Sequence, residues 1–294
     1  MTVIPGVGTA DRVGWARTRE ARRSARSGVG MITAGACMLA LVAGVWALAP
    51  LITTWGTTQV DPGATLAPPG GSHLLGTDIN GMDVWSRTVH AVPVDLGVAV
   101  LAVAIAAAAG SVIGVASGFA GRWMDDTVMR IADVMQAFPT FILALAVAAL
   151  VGQSSVNLIV VLAVVYAPAY ARLARAEVRT VRELPYVDAA RLSGSGTVAI
   201  LRRHVLPNCL SPVRVLAPLN CGWAMLTLAG LSFVGLGVPV PQPEWGAMIS
   251  LGSADVVQGL WWTSLPPGLA LLFCVLAFSM IGEGLQDRSV RRSS

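Results

Sequence analysis

The chain has 294 residues, of which 55% are hydrophobic and only 12% are charged, with a formal net charge of +4 at pH 7. Because a typical soluble domain has about 25% charged residues, this composition argues against an ordinary soluble enzyme and indicates a membrane protein. Every basic residue is arginine, and the placement of these arginines beside apolar stretches argues against nucleic acid as the partner of the positive charge.

Residues 1–28 are predicted to form a cytoplasmic basic tail, since six arginines lie between positions 12 and 26. Residues 27–60 then contain no charged residue. The apolar core of a signal peptide has only about 7–15 residues. The longer run here therefore predicts an uncleaved first transmembrane helix over residues 29–52.

Residues 53–91 are predicted to form an external loop with an amphipathic segment. Its beginning is rich in proline and glycine, which is typical of irregular structure. Thr77 or Asp78 is placed to cap a short helix at the membrane surface. The spacing of Asp78 with His73, Asp83 and His90 matches no rigid metal-ligand pattern, so we predict a solvated loop and no metal site.

Five stretches without charged residues are long enough to cross a membrane, and residues 134–171 are long enough to cross it twice. A polar turn signal at residues 152–157 divides that stretch. The sequence therefore predicts an all-α membrane protein with six transmembrane helices, near residues 29–51, 92–118, 130–151, 157–175, 213–236 and 260–282. The last five form a core of residues 92–285.

The arginines also predict the orientation of the chain. With six spans, nineteen arginines fall on one side and only Arg87 falls on the other. Loops rich in arginine and lysine face the cytoplasm. Both termini, including the tail of residues 286–294, are therefore predicted to be cytoplasmic.

Several patterns within these segments predict local contacts. Gly110, Gly114 and Gly118 recur every four residues, a spacing that lets two membrane helices approach closely, either between subunits or within the chain. Arg130 is spaced to pair with Asp126 and Asp133 on one helix. The external loop of residues 237–259 ends in a tryptophan-rich stretch that predicts an interfacial belt, with Trp245, Trp261 and Trp262.

A long cytoplasmic loop, residues 176–212, is the most unusual segment. Pro185 suits the first turn of a helix, and Gly194 is placed to end that helix. Thr197 can begin a second helix, which Pro207 would stop. The first helix is expected to present Ala189 and Ala190, two small residues that allow close approach by another protein.

The same loop carries a recognisable motif. It reads Asp188-Ala189-Ala190, then Gly194, then Leu206-Pro207 within RHVLPN. Further segments agree with it, namely HLLGTDINGMDVWSR, MRIADVMQAFP, LSFVGLG, PEWGAMI and LAFSMIGEGLQD. The chain resembles the inner-membrane permease subunits of binding-protein-dependent ABC importers, in particular the C-type subunit of the dipeptide, oligopeptide and nickel group.

The resemblance implies a type I ABC importer permease fold with a cytoplasmic coupling helix, in a bacterial inner membrane. It implies that a separate ATPase is engaged by Asp188, Ala189, Ala190, Arg191, Gly194, Leu206 and Pro207. The implied partners are a second, B-type permease, one or two ABC ATPases, an extracytoplasmic substrate-binding protein and membrane lipid, with no nucleic acid. ATP and Mg²⁺ would bind the ATPase, and this chain would bind no cofactor and catalyse no reaction.

Peptides are the cargo that the resemblance favours, with nickel, haem or another small cargo as alternatives. The chain departs from the family at Leu228, where members often carry an acidic residue, and at Met82, where arginine is common. Both positions bear on the choice of cargo. Residues proposed to line the path are Tyr166, Tyr170, Asn220 and Thr227, for which a hydrogen bond between helices or an interfacial ring is the competing interpretation.

Other functional classes fit the sequence less well. A phosphate-binding loop of the Walker type requires a lysine, and the chain has none. A membrane protease of the serine–histidine type lacks a histidine in any predicted span. A secondary transporter would show paired repeats and ionisable residues at mid-membrane depth, whereas Asp95, Asp133 and Glu283 lie near predicted span ends.

Overall fold

The computed structural model of the chain describes residues 8–119, 122–194, 196–200, 203 and 206–290. Every regular element in this part of the chain is a helix, which confirms the predicted all-α class. The elements are α1 (Gly8–Ala47), α2 (Ala49–Ile52), α3 (Val84–His90), α4 (Val92–Phe119), α5 (Arg122–Ala137), α6 (Thr140–Val151), α7 (Ser155–Arg182), α8 (Pro185–Leu192), α9 (Thr197–Ile200), α10 (Leu206–Phe233), α11 (Trp245–Val256), a 3₁₀ turn (Trp261–Thr263) and α12 (Leu265–Val290).

Five stretches of helix are long and apolar enough to cross a membrane, and they lie in α1, α3–α4, α7, α10 and α12. A sixth crossing is formed only if α5 and α6 count as one span, because the two helices meet at an angle of 98°. The prediction of one continuous helix near residues 130–151 is therefore wrong. Pro139 lies at the break, and proline both lacks a backbone N–H and forces the preceding residue, Phe138, away from helical conformation.

The first helix is longer than the predicted span. It begins at Gly8, so much of the predicted basic tail continues the transmembrane helix without a break. Its apolar part, Gly28–Ala47, packs along α12. The first helix of the chain thus packs directly against the last transmembrane helix.

The core lies between α4, α7, α10 and α12, with α5 and α6 packed on the outside of α7. Fully buried aliphatic side chains such as Ala102, Leu162 and Leu231 fill the space between these helices. Each of these helices has a long apolar stretch, so that one of its faces can pack in this core while another is suited to face lipid.

The three glycines of α4 lie against α7. A Cβ atom on Gly114 would lie only 2.1 Å from the carbonyl oxygen of Ala171, and one on Gly110 would lie 2.4 Å from that of Ala167. Gly118 faces α7 in the same way, one turn further on. Glycine at these positions lets the two backbones approach more closely than any side chain would permit, so in this structure the glycine stripe packs within the chain.

The external loop is ordered around Arg87, the only arginine predicted outside. Its guanidinium is buried, and Nη1 donates to the carbonyl oxygens of Thr57, at 2.8 Å, and Pro241, at 3.0 Å. The carboxylate of Asp78 lies 3.8 Å from Nε. The prediction of a solvated loop is therefore wrong: a buried cation needs partners, and Arg87 meets that need by joining the two external loops.

The cap of the short external helix differs from the expected residue. The carboxylate of Asp83, rather than Thr77 or Asp78, accepts a hydrogen bond from the backbone N–H of Ser86 at 2.7 Å and caps α3. The same carboxylate lies 3.0 Å from Nδ1 of His73, which is also buried. The sequence could not identify the cap, because Thr77, Asp78 and Asp83 are all residue types that cap helices. The contact of Asp83 with His73, ten residues away, follows from no local spacing rule.

Tryptophans of the second external loop do not all form an interfacial belt. Trp245 is fully buried and its indole donates to the carbonyl oxygen of Thr88 at 2.9 Å. Trp262 is also buried, whereas Trp261 is 48% exposed. Glu244 begins α11 by accepting two backbone N–H groups at 2.7 and 2.8 Å, and burial raises the pKa of this carboxyl group.

Candidate coupling segment and transport pocket

The described part of the segment predicted to be cytoplasmic, residues 176–212, includes two short helices, α8 and α9. Gly194 follows α8 with a φ of +80°, a left-handed conformation that favours glycine. Leu206 and Pro207 lie in the first turn of α10, a position that suits proline. The predicted stop of the preceding helix falls on residues 201–205, most of which lie outside the described part of the chain. Residues 204 and 205 of the motif lie outside the described part of the chain, and α9 is described only over Thr197–Ile200.

One face of α8 packs against the rest of the protein. Val187 is fully buried, and Ala190, one turn further on, is half-buried against the same apolar cluster. The cluster lies at the ends of α4 and α7 nearest to α8 and also includes Val115, Ala174, Val178, Val181 and Ile200. Val187 thus places α8 in one packed cluster with residues of α4 and α7.

The opposite face of α8 is open. Asp188 and Ala189 are exposed, and Leu192 is 90% exposed. Since Asp188 and Leu192 are four residues apart, they lie on one side of the helix. Of the two alanines expected at the surface, only Ala189 faces outward. Arg191 lies in the last turn of α8.

A pocket of about 570 Å³ lies beside the bend between α5 and α6. The hydroxyl groups of Tyr166 on α7 and Thr227 on α10 form a hydrogen bond of 3.1 Å at its wall. A smaller pocket of about 220 Å³ adjoins it and shares Thr140 and Tyr166. The larger pocket is lined by Pro139, Thr140, Phe141, Tyr166, Trp223, Leu226 and Thr227.

The other predicted path residues do not line either pocket. Tyr170 and Asn220 are buried in the same helix pair, closer to the end that carries α8. Leu228 is fully buried in the core, and Met82 is buried with its sulfur 2.9 Å from the guanidinium of Arg87. These two departures from the family pattern therefore lie away from the pockets.

Sequence reasoning missed the residues that the bend contributes. Phe141 and Thr140 reach the pocket because α6 leaves the direction of α5 by 98°. The Pro139 signal was present in the sequence, but the surrounding apolar run suggested an uninterrupted span. Trp223 was missed because its contacts come from helices distant in sequence.

Exposed ion pairs near α5 form both between two helices and within one helix. Asp133 pairs with Arg172 of α7 at 2.6 Å, and Asp126 lies 3.9 Å from Arg122. The predicted pairing of both carboxylates with Arg130 is therefore wrong. Both observed pairs are exposed, and such pairs contribute only about 0–1 kcal/mol.

The described residues include no group of three or more His, Cys, Asp or Glu side chains arranged to hold a metal ion. His73 approaches Asp83, at 3.0 Å, and Asp61, at 3.5 Å. Its ring also stacks on Trp55 with centroids 4.5 Å apart. These contacts hold residues 55, 61, 73 and 83 of the loop together.

Comparison with known proteins agrees with this architecture. Residues 110–294 match the family described as "Binding-protein-dependent transport system inner membrane component". A dipeptide transport system permease protein DppC of Alkalihalophilus pseudofirmus is 40% identical over 239 residues, which cover 81% of this chain and 78% of that protein. A di/tripeptide transport system permease protein of Pseudomonas aeruginosa is 38% identical over 245 residues, which cover 81% and 80%.

A solved structure shows the same fold. An inward-facing structure of the MetNI methionine ABC transporter matches with a TM-score of 0.55 and 20% identity, covering 71% of this chain and 96% of that chain. The family match spans more than half of the present sequence, and the relatives are similar over most of it. The predicted type I permease fold is therefore confirmed. This chain belongs to the family of inner membrane components of binding-protein-dependent transport systems.

Proposed function

We propose that this chain is the C-type permease subunit of an ATP-driven importer of di- and oligopeptides, and that it forms half of the transport path. The observation that carries the proposal is α8, which is anchored to the bundle by Val187 and exposes Ala189 and Leu192 on its other face. The names of the relatives support peptides as the cargo class.

The open face of α8 is the proposed contact with the ATPase. An exposed leucine beside a carboxylate offers a combination of apolar contact and charge complementarity to a cleft on the partner. Arg191, Gly194, Leu206 and Pro207 complete the coupling segment. ATP and Mg²⁺ are proposed to bind the ATPase subunits, since a chain without lysine has no Walker-type loop.

The proposed orientation places both termini and the coupling segment in the cytoplasm of a bacterium. It is supported by the arginine distribution, with nineteen of twenty arginines on one side of a six-span arrangement. Residues 53–91 and 237–259 then face outward, where an extracytoplasmic binding protein delivers cargo. Membrane lipid surrounds the bundle.

A second, B-type permease is proposed to supply the other half of the path. Trp223 and Leu226, two residues of the larger pocket, are 63% and 43% exposed. The side of the pocket that carries these two residues is open, and a homologous subunit that covers it would complete the pocket. One or two ABC ATPases then drive the pair, and no nucleic acid takes part.

We expect the pocket to respond to steric filling. Thr140→Trp places a bulky ring where both pockets meet and is expected to reduce ATP-dependent uptake at least about tenfold, a change of about 1.4 kcal/mol. Val156→Trp is the matched control, because Val156 is 68% exposed and lines neither pocket. Equal uptake by both variants would remove this pocket from the path.

The experiment that tests the proposal is gentle extraction of the tagged chain from its host, followed by mass spectrometry of the proteins that accompany it. Recovery of an ABC ATPase and a second six-span permease is the expected result. Recovery of the chain alone, from extracts in which control complexes survive, would contradict the importer assignment and favour a secondary transporter.

Cargo is tested on the purified complex in lipid vesicles with its binding protein. Radiolabelled di- and tripeptides are expected to accumulate in an ATP-dependent manner, whereas nickel and haem are not. ATP-dependent accumulation of nickel or haem without peptide uptake would assign the chain to the alternative cargo class.

A further inference from the structure

A cluster of ion pairs around the buried carboxylate of Asp125 joins α5 to α7 at the end of the bundle that carries α8. The carboxylate of Asp125, only 3% exposed, accepts hydrogen bonds from Nε and Nη2 of Arg175 at 2.5 and 2.6 Å. Arg179, one turn further along α7, donates to the same carboxylate. Two-point contact between guanidinium and carboxylate fixes the relative position of the two helices.

A second contact joins α4 to the same part of α7. Arg182 donates from Nη1 to the carbonyl oxygen of Gly118 at 2.6 Å, and its guanidinium lies 5.1 Å above the ring of Phe119. The carbonyl groups in the last turn of a helix lack partners within that helix, and a cation satisfies them well. Arg175, Arg179 and Arg182 thus connect α7 with both neighbouring helices.

The coupling helix rests on this same end of α7. Only the turn at residues 183–184 separates α7 from α8. Val187 of α8 is buried in one cluster with Val178 and Val181, which lie among the three arginine positions on α7. Displacement of α8 therefore carries the arginine-bearing turns of α7 with it.

The other end of α5 leads to the transport pocket. α5 ends at Ala137, and the next residues form the 98° bend that contributes Pro139, Thr140 and Phe141 to the pocket wall. Asp125 lies in the first turn of α5, twelve residues before Ala137. A displacement of Asp125 would therefore be transmitted along α5 to the residues of the bend that line the pocket.

We infer that Asp125 is a positioning residue that transmits movement of the coupling helix through α7 to α5, and so to the bend beside the pocket. This inference rests on the proposed function of α8. Asp125 contacts neither the pocket nor the open face of α8, and it acts through Arg175 and Arg179.

The neighbouring ion pairs show why Asp125 differs from ordinary surface charges. Asp126 and Asp133 have side chains that are 54% and 63% exposed, and each pairs with one arginine. Exposed pairs are weak and readily exchanged for water. The carboxylate of Asp125 is instead buried and accepts from two arginines, one of them at two points, so it is poorly compensated if these contacts are lost.

The test uses the complete complex in lipid vesicles, with Phe138→Cys as a reporter at the bend, because Phe138 is 53% exposed there. Maleimide labelling of position 138 is quantified by mass spectrometry, without nucleotide and after trapping with ATP and vanadate. The coupled complex is expected to show a labelling rate that differs between the two states. Asp125→Asn, which keeps the size of the side chain but removes its charge, is expected to reduce that difference about tenfold, within the usual range of coupling between sites.

Asp126→Asn is the matched control, one residue away and exposed, and it is expected to keep the full difference. Asp125→Glu is expected to restore part of it, since it restores the charge. Arg179→Gln leaves the two-point contact between Asp125 and Arg175 intact, so it is expected to reduce the difference in labelling rate by an intermediate amount. This variant replaces Asp125→Asn in the test if Asp125→Asn fails to assemble. A full nucleotide response in assembled Asp125→Asn, or an undiminished response in Arg179→Gln where Asp125→Asn does not assemble, would overturn the inference.

The same measurement separates failure of this inference from failure of the proposed function. If α8 does not couple to an ATPase, then the reporter protein without further changes shows no difference between the two nucleotide states. If only the role of Asp125 is wrong, the reporter protein responds and the Asp125→Asn variant responds equally.

Discussion

Gly194→Asp is expected to lower ATP-driven uptake at least about tenfold while the protein remains inserted and folded. Gly194 has a φ of +80°, and a Cβ atom there would meet no atom within 4 Å. The added side chain therefore enters open space on the side where α8 is proposed to meet the ATPase. A carboxylate at the C-terminal end of a helix is also unfavourable, by about 0.3–1 kcal/mol.

The control for this substitution is Gly259→Asp. Gly259 has a φ of +87° and equally open surroundings, but it lies after α11, in the segment of residues 237–259 that is proposed to face outward. Backbone strain is therefore similar in the two variants, and only the location differs. Uptake and ATP hydrolysis are measured on the purified complex; hydrolysis that continues without uptake is the expected result for Gly194→Asp. Unchanged uptake would mean that Gly194 has no part in coupling.

Gly114→Ala is expected to destabilise the fold itself. A Cβ atom would lie 2.1 Å from the carbonyl oxygen of Ala171, and because that oxygen belongs to the backbone the two helices must separate. Overpacking typically costs about 1–3 kcal/mol. We expect a melting temperature several degrees lower, and less folded protein in the membrane, because α4 and α7 form the main packed pair of the core.

Gly97→Ala provides the comparison within α4. A Cβ atom on Gly97 meets nothing within 4 Å, and alanine is a better helix former than glycine by about 1 kcal/mol. Unfolding is followed by tryptophan fluorescence of the detergent-solubilised protein during heating. If both variants melted at the same temperature, close packing of the glycine stripe would not matter for stability.

Features that depend on local sequence could be predicted. Long charge-free runs located the membrane helices, because a helix in lipid must be apolar over about 20 residues. Pro185 and Gly194 located α8, because each acts on the backbone conformation at its own position. The polar turn between α6 and α7 was visible for the same reason, and Ser154 caps α7 there by accepting from the backbone N–H of Asn157 at 3.0 Å.

Features that depend on distant pairs could not be predicted. Arg175 and Asp125 are 50 residues apart, and Arg87 and Pro241 are 154 residues apart. No spacing rule connects such residues, because helix periodicity relates only positions three or four apart. Trp245 was misplaced for this reason, since its burial results from contact with Thr88 across the bundle.

The bend at Pro139 is an intermediate case. Hydropathy over a window of about 19 residues measures how apolar a segment is and does not reveal its direction. Residues 134–151 are uniformly apolar enough to be taken for one helix, although the proline within them marks a break. A local breaker signal should therefore take precedence over the average of its surroundings when a transport pocket is sought.

The contacts of Arg87 have a further consequence for association at the outer face. This side chain joins residues 57 and 241, and Trp245 adds a hydrogen bond to residue 88, so both external loops are held in one shape before any partner arrives. Flexible loops lose conformational entropy when a partner immobilises them, whereas a preorganised surface loses little. The extracytoplasmic binding protein that is proposed to dock on this face would therefore retain more of its contact energy as affinity.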